Sequence, residues 1–125
     1  MRAVQTDAAP IPAGHYSQAI VHGDLVFVAG QLPIDPANRS APPGPIEAQA
    51  ERTLQNLAAI LEAAGSGLQH VLQLTIYIAD NDLWGPVNET CARLFGEHRP
   101  ARTIVPVKEL HYGYLIEIQA IGIRR

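Results

Sequence analysis

Apolar residues recur along the chain with two different periods. Ile46, Ala50, Leu54, Leu57, Leu61 and Ala64 fall at helical spacing on one face. Pro45 suits the first turn of that helix, and Gly65 suits the left-handed position just past its end. A second helical stripe runs through Leu83, Val87, Cys91 and Leu94/Phe95, ends near Gly96, and has Asp80-Asn81-Asp82 as a cap. Between the two helices the period switches to two. Leu72, Leu74, Ile76 and Ile78 alternate with Gln73, Thr75 and Tyr77, which predicts a strand with one apolar face.

Leu25-Val26-Phe27-Val28-Ala29 is apolar without alternation, the pattern of a strand covered on both faces. Tyr16 to His22 is strand-like, with Gly23-Asp24 as the turn that follows. Two further strands are expected around Thr103 to Val107 and Tyr114 to Ile121. Residues 1–14 are rich in Ala and Pro and read as an extended lead-in. Gly30 to Gly44 reads as loop, broken by Asp35-Pro36 and Pro42-Pro43-Gly44. These elements predict one α/β (α+β) domain over residues 1–125, a mixed sheet of five to six strands with two helices on one face.

Two helices cover only one face of such a sheet. The other face then carries Leu115 and Ile121, with Glu117 and Gln119 between them, and one side of Leu25–Ala29. Soluble monomers rarely expose a large apolar patch, so the pattern predicts that sheets of several copies associate. The alternative is a polar sheet face left in water.

Composition narrows the function classes. Only 17% of the 125 residues are charged, which agrees with a surface partly covered by copies of itself. A net charge of -3, a pI near 5.9 and the lack of a basic stripe argue against nucleic acid as a partner. No apolar run approaches the roughly 18 residues of a membrane span, so no membrane partner is expected. The lone Cys91 rules out an internal disulfide, and the stretch from Arg2 to Asp7 lacks the apolar core of a signal peptide. A cytoplasmic protein is the expectation. His15, His22, His70, His98 and His111 show no zinc-ligand spacing, and no glycine-rich nucleotide motif occurs. Neither a metal nor another cofactor is expected.

Several residues are candidates for chemistry. Alternation along Leu115–Ile121 places Glu117 on the face opposite Ile116 and Ile118; if that face is buried between subunits, the carboxylate becomes tunable. If it is open, Glu117 is an ordinary exposed strand residue. Arg102 sits where a loop hands over to a strand, and its guanidinium fork suits a carboxylate. Spacing alone does not separate it from Arg99. Asn88 lies at the edge of the second helical stripe, and Tyr16 reads as a strand tyrosine. Cys91 reads as a core thiol rather than a nucleophile.

The segments Gly14-His15-Tyr16-Ser17-Gln18-Ala19, Ala29-Gly30-Gln31-Leu32-Pro33, Ala63-Ala64-Gly65, Val87-Asn88, Arg99-Pro100-Ala101-Arg102 and Ile116-Glu117-Ile118-Gln119-Ala120 occur in that order. Together they resemble the RidA (YjgF) family over nearly the whole chain, with Gly-Gln-Leu-Pro and Pro-Ala-Arg as the most specific blocks. The resemblance implies a chorismate-mutase-like fold, a homotrimer with sites in clefts between subunits, and hydrolysis of reactive 2-imino or 2-enamino acids to 2-oxo acids and ammonia. It implies that Arg102 clamps the substrate carboxylate and that Glu117 orients or activates water. Tyr16 and Asn88 would line the pocket, and the backbone around Gly30 and Ile104 would contact substrate. The chain departs from the family where Ala29 replaces a common Ser, Ile104 a common Cys and His15 a common Pro. Three alternatives stand beside this reading: a deaminase of another enamine, such as an aminoacrylate or aminomuconate; a module that binds small carboxylates without turnover; and a ribonuclease, which the acidic pI disfavours.

Overall fold

A six-stranded mixed sheet forms the frame of the computed structural model, which describes residues 1–125. Its strands are β1 (Arg2–Val4), β2 (Ala19–His22), β3 (Leu25–Gln31), β4 (Val71–Ile78), β5 (Ala101–Pro106) and β6 (Ile116–Ile123). They lie in the order β1-β2-β3-β6-β4-β5, antiparallel except for the parallel pair β4–β5. Helices α1 (Ile46–Ala63) and α2 (Trp84–Phe95) supply the second layer. No helix is long and apolar enough to cross a membrane.

Both helical stripes are where their spacing places them. All six residues of the first stripe are buried, as are Val87, Cys91 and Phe95 of the second. Pro45 caps α1 rather than opening its first turn. At the other end the Ser66 amide donates to the Leu61 carbonyl at 2.8 Å and the Gly65 amide to the Glu62 carbonyl at 3.0 Å. Gly65, at φ +86°, makes that reversal without steric cost. Asp80 caps a 3₁₀ turn over Asn81–Leu83, its carboxylate accepting from the Asp82 amide at 2.8 Å, and that turn runs into α2.

Register divides the sheet into two chemically distinct faces. Val26 and Val28 of β3, Ile116, Ile118 and Ala120 of β6, and Leu74, Ile76 and Ile78 of β4 pair across strands and point to the helices. They belong to a core cluster of 23 buried residues. The opposite face carries Leu25, Phe27, Ile121, Ile123, Tyr77 and Glu117, paired with one another in the complementary register. Within one chain the core covers only the Val26 and Val28 side of β3; the other side of the apolar run Leu25–Ala29 lies on this helix-free face, where Phe27 remains 42% exposed.

Other boundaries move for tertiary reasons. The lead-in contains β1, a three-residue strand that forms because β2 offers it an edge. The strand expected from Tyr16 begins at Ala19, and the strand expected over Thr103–Val107 occupies Ala101–Pro106. β3 continues through Gly30 to Gln31, two residues into the expected loop. Between Val28 and Gln31 it advances three residues while β6 advances two, from Ala120 to Ile118. The extra residue is a bulge at Ala29-Gly30, a device that re-aims side chains beside functional sites.

Candidate functional site

Glu117 leaves β6 on the helix-free face, directly over the bulge. Its carboxylate lies so close to Gly30 that a Cβ there would collide with Oε2, with Cδ at 3.1 Å and Cγ at 3.4 Å. Only glycine leaves room for the carboxyl group in this position. The Glu117 carboxylate makes no hydrogen bond or ion pair within the chain, so its oxygens remain available to a ligand or to water. It opens into a cavity of about 450 Å³ whose walls include Tyr16, Gly30, Arg39, His111 and Tyr112.

Buried polar side chains build the walls of this cavity. Gln18 is almost fully buried; its Oε1 accepts from the Thr6 amide at 2.7 Å, and its Nε2 donates to the carbonyls of Thr6 and Pro10, each at 3.0 Å. These bonds strap the segment that places Pro10, Ile11, Ala13 and Gly14 on the cavity wall. From α1, Asn56 Nδ2 donates to the carbonyls of Leu32 at 3.1 Å and Ile34 at 2.9 Å, fixing the opposite wall. Gln49 donates to the Gly44 carbonyl at 2.8 Å and accepts from the Leu115 amide at 2.9 Å, tying the loop end to the approach to β6. A buried amide side chain seeks partners for both its ends. Gln18 and Gln49 find them in backbone, whereas Asn56 uses its Nδ2 twice and leaves its buried Oδ1 without a partner.

Arg102 and Asn88 occupy a different place. Arg102 pairs in register with Leu74, and Leu74 pairs with Ala120, so Arg102 stands on the helix side of the sheet. Glu117 pairs with Tyr77 and stands on the other side. Two strand spacings and a three-residue offset separate them by roughly 10 Å in each direction, with the sheet between their side chains. Arg102 lies over the Trp84 ring at 5.6 Å, a cation–π contact that holds the guanidinium beside α2. With Asn88, Cys91, His98 and Arg99 it lines a second cavity of about 510 Å³. His98 Nε2 lies 2.7 Å from the Val71 carbonyl and fixes the turn leading into β5. Burial pushes the Cys91 thiol above its ordinary value, and the Arg102 guanidinium partly opposes that shift.

Tyr16, Gly30 and Glu117 therefore come together, Asn88 and Arg102 come together, and the two groups do not meet within one chain. Ile104 lines neither cavity; its side chain packs on the core from the β5 side. Sequence reading did not single out Gln18, Asn56, Arg39 or Tyr112. The first two are polar residues beside apolar ones, a pattern that also describes solvent-facing positions. Tyr112 has φ +61°, which no sequence pattern announces. No group of three or more His, Cys, Asp or Glu side chains comes together.

Comparison with known proteins gives a consistent set of relatives. The family model described as Endoribonuclease L-PSP matches residues 6–124. A RutC family protein of Pyrococcus horikoshii is 46% identical over 117 residues, covering 94% of this chain and 93% of that one. The 2-iminobutanoate/2-iminopropanoate deaminase of Rattus norvegicus is 36% identical over 123 residues, covering 98% of this chain and 90% of its own. The crystal structure of RidA from the Antarctic bacterium Psychrobacter sp. PAMC 21119 superposes with a TM-score of 0.94 at 36% identity, covering 98% of this chain and 99% of that one.

Proposed function

The chain belongs to the RidA (YjgF) family, and on that premise we propose that it is a cofactor-independent deaminase of small 2-imino and 2-enamino acids. The reaction is R–C(=NH)–COO⁻ + H₂O → R–C(=O)–COO⁻ + NH₃. Its site is built by two copies in a homotrimer: Glu117, Tyr16 and Gly30 from one, Arg102 and Asn88 from the next. The observation that carries this reading is the Glu117 carboxylate, seated over Gly30 without a partner and open to a cavity of substrate size.

An imine carbon is already electrophilic, so the protein's task is to position substrate and water and to move protons. Arg102 holds the 2-carboxylate through its planar fork. Glu117 takes a proton from the attacking water and passes it to the imine nitrogen, giving the adduct R–C(OH)(NH₂)–COO⁻. It then relays the hydroxyl proton to the same nitrogen, so that the C–N bond breaks, ammonia leaves and the 2-oxo acid remains. Since Arg102 and Glu117 stand on opposite faces of one sheet, the reading requires a second copy. The half-exposed Leu25 and Phe27 give that copy an apolar surface to cover.

The test is to generate 2-iminopropanoate and 2-iminobutanoate in situ and measure release of pyruvate and 2-oxobutanoate. Acceleration over the spontaneous rate is expected, and its loss in Glu117→Gln. Tight binding of 2-oxo acids with no acceleration selects the carboxylate-binding module instead.

A further inference from the structure

Arg39 comes from the proline-containing segment after β3, yet it lines the same cavity as Glu117. It makes no ion pair: the chain's salt bridge joins Arg93 to Glu51 at 2.6 Å, on the outer surface of the helices. It makes no side-chain hydrogen bond either. An unpartnered guanidinium on the wall of a half-open cavity presents a fork of donors to an anion. His111 and Tyr112 line the same cavity, with ring centroids 6.1 Å apart, and add a ring nitrogen and a phenol to the available donors. Tyr112 is held in the left-handed region at φ +61° and ψ 18° although it is not glycine. Such conformations concentrate at ligand-contacting sites, because something other than local preference must hold them.

Glu117 is the only carboxylate on this cavity wall. The wall thus carries one carboxylate and one unpaired guanidinium. The carboxylate clamp assigned to Arg102 is a separate group in the other cavity.

We propose that Arg39, with His111 and Tyr112 lining the same cavity, is a second anion-recognising subsite, so that the preferred substrate is a 2-imino or 2-enamino acid bearing a second carboxylate. This proposal rests on the reading of the Glu117 cavity as the place of imine hydrolysis, and it names the substrate class for that site. Hydrolysis follows the same balance as before. The second carboxylate takes no part in bond changes and contributes binding only.

The test is calorimetry with two 2-oxo acids, 2-oxobutanoate and 2-oxoglutarate, on the full-length protein. The wild type is expected to bind 2-oxoglutarate about 10-fold more tightly, the scale of one charge-assisted contact at a partly exposed site. Arg39→Ala should abolish that preference and Arg39→Lys should keep part of it, whereas Arg93→Ala should preserve it. Because Arg39 is exposed and unbonded, both variants should melt like the wild type. Equal affinity of the wild type for the two acids overturns the proposal, as does an affinity ratio that ignores Arg39 or a failure to bind 2-oxoglutarate. Imine hydrolysis is measured separately. A ratio that follows Arg39 without acceleration of any imine leaves the subsite standing and removes the deaminase reading. Acceleration with a ratio indifferent to Arg39 does the reverse.

Discussion

Replacing Gly30 by alanine puts a methyl group where the Glu117 carboxylate lies. The new Cβ would overlap Oε2 and stand 3.1 Å from Cδ, so the carboxyl group must rotate away. The backbone does not resist, since Gly30 is absent from the positions with left-handed φ and alanine adopts its conformation freely. Losing a glycine from the unfolded ensemble stabilises by about 0.4–1 kcal/mol, while displacing the end of a flexible side chain costs a similar amount. The melting temperature should therefore stay within about 4 °C of the wild type. Catalysis should not be spared. If Glu117 is the general base, moving its oxygens removes a group worth about 10²–10⁴ in rate, so kcat for 2-iminopropanoate should fall by at least 100-fold. The double variant Gly30→Ala/Glu117→Ala separates this from general damage. With the carboxylate gone the methyl group has nothing to displace, so Gly30→Ala should cost almost nothing in that background. A Gly30→Ala protein with wild-type kcat, or one whose losses add to those of Glu117→Ala, would refute the reasoning.

Glu117→Gln keeps size and most hydrogen-bonding capacity but cannot take a proton; kcat should drop while calorimetry finds 2-oxobutanoate bound nearly as before. Arg102→Ala should weaken 2-oxo acid binding by roughly 10- to 150-fold, and unchanged binding would exclude it as the clamp. Light scattering should give a trimer mass at micromolar concentration, and a monomer mass would remove the two-copy site. Gln18→Leu fills the same space but leaves the backbone groups of Thr6 and Pro10 without partners. It should destabilise by about 2–3 kcal/mol and raise hydrogen exchange at the Thr6 amide. The raised pKa of the buried Cys91 thiol keeps it neutral in the fold, so its contribution to stability is present below the ordinary thiol value of about 8.5 and lost as pH rises above it. Thermal melts from pH 7 to 10 should show that decline in the wild type and a shallower one in Cys91→Ala.

Whatever depends on periodicity is legible in the residues alone. The six-residue stripe of α1 and the alternation of Leu74, Ile76 and Ile78 in β4 each state which side is buried, because burial of a regular element must repeat with the element's own period. Leu72, expected on that same side, is exposed because a register shift between Val71 and Gln73 breaks the period and gives Val71 the core position. The same rule placed Glu117 on the face opposite Ile116 and Ile118, and Gly65 marked a helix end that only a residue free to take positive φ closes easily. Tertiary structure decided what depends on pairing and register. β1 has no apolar pattern of its own and exists because β2 has an unpaired edge. The bulge at Ala29-Gly30 comes from three residues of β3 matching two of β6, a mismatch invisible in either strand alone. That bulge sets Gly30 beneath Glu117, and the parallel register of β5 on β4 turns Arg102 to the opposite face. Arg39 reaches the Glu117 cavity through a segment that Asn56, buried on α1, holds from the side. Residues far apart in sequence acquire a common chemistry only when hydrogen-bonded partners fix their distances, and those partners are chosen by the folded chain as a whole.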